Sequence, residues 1–153
     1  YCYPPDSLGE TFSFSEHSGK VFMLEMSASW WLPCFNLIPG GDTIYEYWKD
    51  DNRVEIIHFL DDIGQPYSCS DWGGQGIDNI PPIVNDGIEN IVAEWFSQKP
   101  NSAAISYPLT IFVDSNMQMY EILDLEGEIM DSTFVNSTFV NAVNAIIERM
   151  LSE

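Results

Sequence analysis

Ser27-Ala28-Ser29-Trp30-Trp31-Leu32-Pro33-Cys34 follows an almost unbroken apolar run, Lys20-Val21-Phe22-Met23-Leu24-Glu25-Met26. A continuous apolar run of that length reads as a central strand covered on both faces. Pro33 just beyond it suits the first turn of a helix, where a missing N–H costs nothing. The junction is therefore a strand-to-helix turn with one thiol, Cys34, just inside the helix. A turn that exchanges disulfides needs two thiols three residues apart, one to attack and one to resolve the mixed disulfide. Position 31 is Trp, so any sulfur chemistry at this turn rests on Cys34 alone.

Working outward, Pro39-Gly40-Gly41 is expected to kink or break the helix, and Thr43 to Lys49 resumes it with aromatics at helical spacing. Arg53 to Leu60 is rich in β-branched residues and reads as a second strand. Strand, helix and strand make a β-α-β unit, hence a parallel pair joined by a right-handed crossover. Gly64 to Pro82, which contains Cys69 and Trp72, reads as a long loop past the carboxyl end of that strand. Ile88, Ile91, Val92, Trp95 and Phe96 predict an amphipathic helix over 87–97. Leu109 to Val113 and Met119 to Leu123 read as a hairpin around Asp114-Ser115-Asn116, and Ser137 caps a closing helix. Upstream, Tyr1 to Glu10 reads as an irregular lead-in, and Thr11 to Ser15 alternates as a half-buried strand that Glu16 to Gly19 turns back. Ser-Thr-Phe-Val-Asn occurs in tandem, at 132–136 and 137–141, which is a local duplication rather than a solenoid.

A chain of 153 residues is expected to form a single domain over 1–153, burying roughly 70% of its unfolded surface and folding without disulfide staples. Five basic against 24 acidic residues give a formal charge of −19, which repels nucleic acid and anionic lipid. Neither is expected as a partner. No run of 18 apolar residues occurs, so no membrane span is expected, and no signal segment is expected within residues 1–153. Cys2, Cys34 and Cys69 are too few for a disulfide scaffold. With His17 and His58 isolated they also lack zinc-ligand spacing, so neither a metal nor a cofactor is expected.

The order of elements, with Trp30-Trp31-Leu32-Pro33-Cys34 at the first β-to-α turn and Ser106-Tyr107-Pro108-Leu109-Thr110 opening the later hairpin, resembles the thioredoxin superfamily. It is most similar to the TlpA/ResA-like redoxins, extracytoplasmic thiol-disulfide proteins with an N-terminal β-hairpin ahead of the core. That resemblance implies an α/β thioredoxin-like fold: a central mixed sheet with helices on both faces. In the family the turn reads Trp-Cys-x-Pro-Cys, so Trp30, Pro33 and Cys34 match while Trp31 stands in place of the attacking cysteine. Cys34 inherits the resolving position. Pro108 matches the family's cis-proline, which places Tyr107 beside a groove for an extended substrate together with Trp30 and Pro33. Glu25 matches the buried acid on the strand leading into the turn. Desolvation there favours the neutral acid and suits it to accept a proton from a nearby thiol; the alternatives are an edge position or contact with a buried hydroxyl. Leu37 stands where the family carries a second acid.

The resemblance implies a protein or peptide partner bearing a thiol or disulfide, and an extracytoplasmic location. One reading is a thiol-disulfide redox protein acting through Cys34 alone, assisted by Glu25, with Cys69 as a candidate resolving thiol, or through a selenocysteine where Trp31 stands. A second is a catalytically inactive binding module whose groove of Trp30, Trp31, Trp72, Tyr107 and Pro108 holds an extended peptide or small apolar ligand. A third, a peroxidase of the peroxiredoxin sort, requires Pro at 27 and Thr or Ser at 31, where the chain has Ser27 and Trp31.

Overall fold

The computed structural model describes residues 1–60, 64–76, 80–85, 107–123 and 132–153, with side chains from 136 onward in the last segment. The strands are β1 (Val21–Ser27), β2 (Val54–Leu60), β3 (Ile83–Val84), β4 (Leu109–Val113) and β5 (Met119–Leu123). The helices are α1 (Leu32–Trp48), α2 (Cys69–Gly73) and α3 (Ser132–Ser152). The strands form one mixed sheet in the order β3-β2-β1-β4-β5. β1 runs parallel to β2 and antiparallel to β4. The apolar run from Lys20 is thus the central strand, and all seven residues of β1 are buried.

Alternation along the strands sorts the core into layers. Val21 and Met23 of β1, Val54 and Ile56 of β2 and Phe112 of β4 face α1 and α3, which supply Leu37, Ile44, Phe139, Val143 and Ile147. Phe22, Leu24, Met26, Ile57, Phe59 and Ile111 face the other way, where Tyr1, Phe12 and Phe14 pack against them. The expected helix over 87–97 lies outside the described residues.

Three expectations need correction. No N-terminal β-hairpin forms among residues 1–20: Pro5–Ser7 and Phe14–His17 are 3-10 turns. The Phe12/Phe14 alternation is satisfied by edge-on ring packing against Phe59 and Phe22, with no partner strand alongside. Pro39 does not break the first helix, which runs unbroken from Leu32 to Trp48. A proline there removes a backbone bond and pushes carbonyls outward. The amide of Asn136 in α3 donates to the Asn36 carbonyl at 3.2 Å, tying this stretch of α1 to α3. Gly40 allows that approach, since a Cβ there would sit 2.8 Å from Asn136 Oδ1 and 3.0 Å from Phe139. The closing helix begins at Ser132, not Ser137, so the tandem repeat lies inside it. The hairpin turn is as expected, with Asp114 Oδ1 accepting from the Asn116 and Gln118 N–H groups. His17 lies far from the turn, its Nδ1 2.9 Å from Glu55, which Lys20 also meets.

Candidate functional site

The turn from β1 into α1 is built as its residues dictate. Trp31 holds extended backbone at the N-cap of α1, and Pro33 occupies the first turn. The Cys34 and Phe35 N–H groups close that turn onto the Trp31 carbonyl, at 3.0 and 3.3 Å. Cys34 points inward, fully buried, and its Sγ accepts from the Ala28 N–H at 3.5 Å. The indoles point outward: Trp30 is 60% exposed and Trp31 43%, their ring centres 5.6 Å apart. Leu32 and Phe35 extend this exposed apolar surface along the first turn of α1.

Tyr107 is half-buried and packs against the cluster that contains Cys34, while Pro108 beside it is buried. The Tyr107–Pro108 peptide is cis. Leu109 pairs with Met26, so the next step along that ladder brings Pro108 beside Ser27 at the mouth of the turn. The sequence-derived residues Trp30, Trp31, Pro33, Cys34, Tyr107 and Pro108 therefore converge on one end of the sheet.

Beneath them lies a polar row that the sequence reading identified only in part. Register sets Glu25 of β1 between His58 of β2 and Thr110 of β4, and all three are buried. By alternation all three share the α1 face of the sheet. Ser27 Oγ donates to Glu25 Oε1 at 3.2 Å, so the acid does meet a buried hydroxyl. Asp42 approaches from α1. Burial, reinforced by the Asp42 charge and opposed by the Ser27 hydroxyl, pushes the Glu25 carboxyl up to about 7. Such a group can give or take a proton near neutral pH.

His58 was read as an isolated residue. Its position inside Val-Glu-Ile-Ile-His-Phe-Leu, on the same parity as Val54 and Ile56, is the signal that could have placed it opposite Glu25. Trp72 Nε1–H donates to His58 Nε2 at 3.2 Å. Nε2 is therefore an acceptor and the neutral ring carries its proton on Nδ1, which lies 3.8 Å from Glu25 Oε1. Burial holds the His58 ring down at about 4, so it stays neutral through the physiological range.

Two expected site residues fall elsewhere. Cys69 is not a resolving thiol for Cys34: it is cross-linked to Cys2. The segment from Gly64 folds back there, with Ser68 capping the short helix α2 by accepting from the Asp71 N–H, which carries Cys69 to the N-terminal segment. Nor does Trp72 line a groove; it is fully buried, because its indole N–H has a partner in the core.

No known protein-family description matches the chain, and no curated protein matches it. Solved structures do. A thiol:disulfide interchange protein of the thioredoxin family from Chlorobium tepidum is 18% identical, with 92% of this chain and 86% of that one covered at a TM-score of 0.67. A secreted Mycobacterium tuberculosis disulfide oxidoreductase is 14% identical, covering 86% and 87% at 0.60. An exposed lipoprotein thioredoxin of Streptococcus pneumoniae is 21% identical, covering 85% and 93% at 0.56. With these likenesses beside the β1-α1-β2 unit and the mixed sheet β3-β2-β1-β4-β5, the chain carries the thioredoxin fold.

Proposed function

We propose that the protein is a redoxin-like module, one domain over 1–153, that holds an extended segment of a partner polypeptide in the groove of Trp30, Trp31, Pro33, Tyr107 and Pro108 without dithiol turnover. The observation that carries this reading is the inversion at the turn: an exposed indole stands where an attacking sulfur would have to be, and the remaining sulfur is fully buried. Exposed Trp pairs supply large apolar contact at low entropic cost. The charge of −19 favours a basic partner and steers its approach. The Cys2–Cys69 cross-link, together with neighbours described as secreted or exposed, supports an oxidising, extracytoplasmic setting.

The test uses reduced, carbamidomethylated ribonuclease A, an unfolded basic polypeptide with every thiol blocked. The parent binds it, and Trp30→Ala/Trp31→Ala weakens binding about 30-fold, the loss expected of two interface aromatics. Equal binding by the two forms, or none by either, removes the reading. A second reading, single-thiol chemistry at Cys34, is favoured by Glu25, whose carboxyl near 7 suits a proton acceptor. It requires a mixed disulfide between Cys34 and a substrate carrying an activated disulfide, detected by mass; its absence in the folded protein rejects that reading.

A further inference from the structure

The helix α2 is five residues long and carries two different connections. Cys69 ties it to the N-terminal segment through Cys2. Trp72 ties it to the buried polar row through His58. Cys34, Cys69 and Trp72 belong to one apolar cluster, against which Cys2 and Tyr3 pack. Cys34 thus shares its apolar cluster with the short helix that the cross-link anchors, and Phe35 beside it meets Trp72 edge-on, ring centres 6.3 Å apart.

The N-terminal segment lies over this helix as a strap. Its backbone meets β3 at one isolated bridge, Tyr3 to Ile83, with Cys2 N–H donating to the Ile83 carbonyl at 2.9 Å and Ile83 N–H to the Tyr3 carbonyl at 3.0 Å. The Tyr3 ring rests on Gly73, where a Cβ would come within 2.3 Å of it. Tyr1 also packs on the core, but among the described residues the backbone of residues 1–4 meets the sheet at this one bridge, and a segment with so short a backbone ladder opens locally at small cost. The covalent tie is Cys2–Cys69. Cys69 is 7% exposed and Cys2 is half-buried beside it, so Cys2 is the more open residue of the pair.

We propose that Cys2–Cys69 is a redox latch, a site for dithiol reductants, whose opening releases the strap and α2 and uncovers Cys34. A reductant thiolate attacks Cys2 Sγ; the Cys2–Cys69 bond breaks and Cys69 leaves as a thiolate that takes up a proton. The second thiol of the reductant then attacks the mixed disulfide, forming the reductant's own disulfide and releasing Cys2 as a thiol. Two electrons pass from the dithiol to the protein. The latch goes beyond the peptide-binding reading and does not depend on it.

The test is the rate at which iodoacetamide labels Cys34 in the folded protein, read by peptide mass spectrometry. It is run on the oxidised parent, the parent treated with dithiothreitol, and Cys2→Ser/Cys69→Ser. Labelling is expected to rise about tenfold or more in both open forms, and dithiothreitol is expected to open the latch without denaturant. Unchanged labelling overturns the proposal, as does reduction that occurs only in denaturant. A plain loss of stability is told apart by repeating the labelling in sub-denaturing urea. A nearly flat urea dependence reports local release of the strap, whereas a slope equal to that of global unfolding means the cross-link only stabilises the fold and overturns the latch.

Discussion

Sulfur sits at two places around one apolar cluster, and the two are opposites. At the β1–α1 turn a lone thiol, Cys34, is buried in the cluster it shares with α2, with indoles outside. At the N-terminal strap a pair that no local spacing announces is joined across a sequence separation of 67. The turn is rigid, closed by helical bonds and by a central strand. Among the described residues the strap is held by one backbone bridge, the Tyr1 and Tyr3 rings and a covalent tie. The chain thus holds a lone buried thiol where the backbone is well bonded, and a cystine where one backbone bridge joins the segment to the sheet.

The largest expected effect comes from changing the first region. Trp31→Cys introduces a thiol at the N-cap of α1, where free N–H groups and the helix dipole favour a thiolate, with Cys34 three residues on to resolve the mixed disulfide. Reduction of insulin by dithiothreitol should then be catalysed, about a thousandfold or more above the parent, because resolution becomes intramolecular. No gain would mean that the turn differs from a working one by more than its missing sulfur.

Opening the second region comes next. A cross-link closing a loop of this length restricts the unfolded chain by about 4 kcal/mol in the loop-entropy account, so Cys2→Ser/Cys69→Ser should lower unfolding free energy by a few kcal/mol in urea titrations. A loss below about 1 kcal/mol would place the strap outside the cooperative unit.

The polar row beneath Cys34 offers a finer cut. Burial holds Glu25 at about 7 against an ordinary 4.5, and His58 at about 4 against 6.5. Between about pH 4.5 and 6.5 the folded protein therefore holds an extra proton at Glu25 and lacks one at His58, relative to the unfolded chain, and their opposite pH slopes in stability cancel. Glu25→Gln leaves only the histidine: stability should then climb by about 3 kcal/mol as pH rises from about 4 to 6.5. His58→Gln leaves only the acid, and stability should fall by a similar amount as pH rises from 4.5 through 7. Urea titrations across this range that run parallel for parent and both variants would break the account.

Much of the frame was readable because it depends on short-range pattern. The apolar run around Leu24 marked the central strand, Ile56 and Ile57 marked its parallel neighbour, and Asp114 marked the hairpin turn. Glu25 was visible as a polar interruption of an apolar run. What could not be read depends on residues distant in sequence. Cys2 and Cys69 meet only because α2 folds back under β3, and pairing demands a close Cα approach that spacing does not reveal. His58 acquires its partners from strand register and from Trp72, a residue whose surroundings suggested a loop. Phe12 and Phe14 show the converse failure: their alternation was real, but alternation reports which side is buried and not whether a neighbouring strand exists.

The tandem Ser-Thr-Phe-Val-Asn carries a geometric consequence. Five residues turn an α-helix through about 500°, so the second copy is rotated by about 140° from the first. Asn136, ending the first copy, reaches across to the Asn36 carbonyl, while Asn141, ending the second, faces solvent. Identical words thus acquire unlike duties, and a duplication that looks neutral in text re-aims every side chain on one side of it.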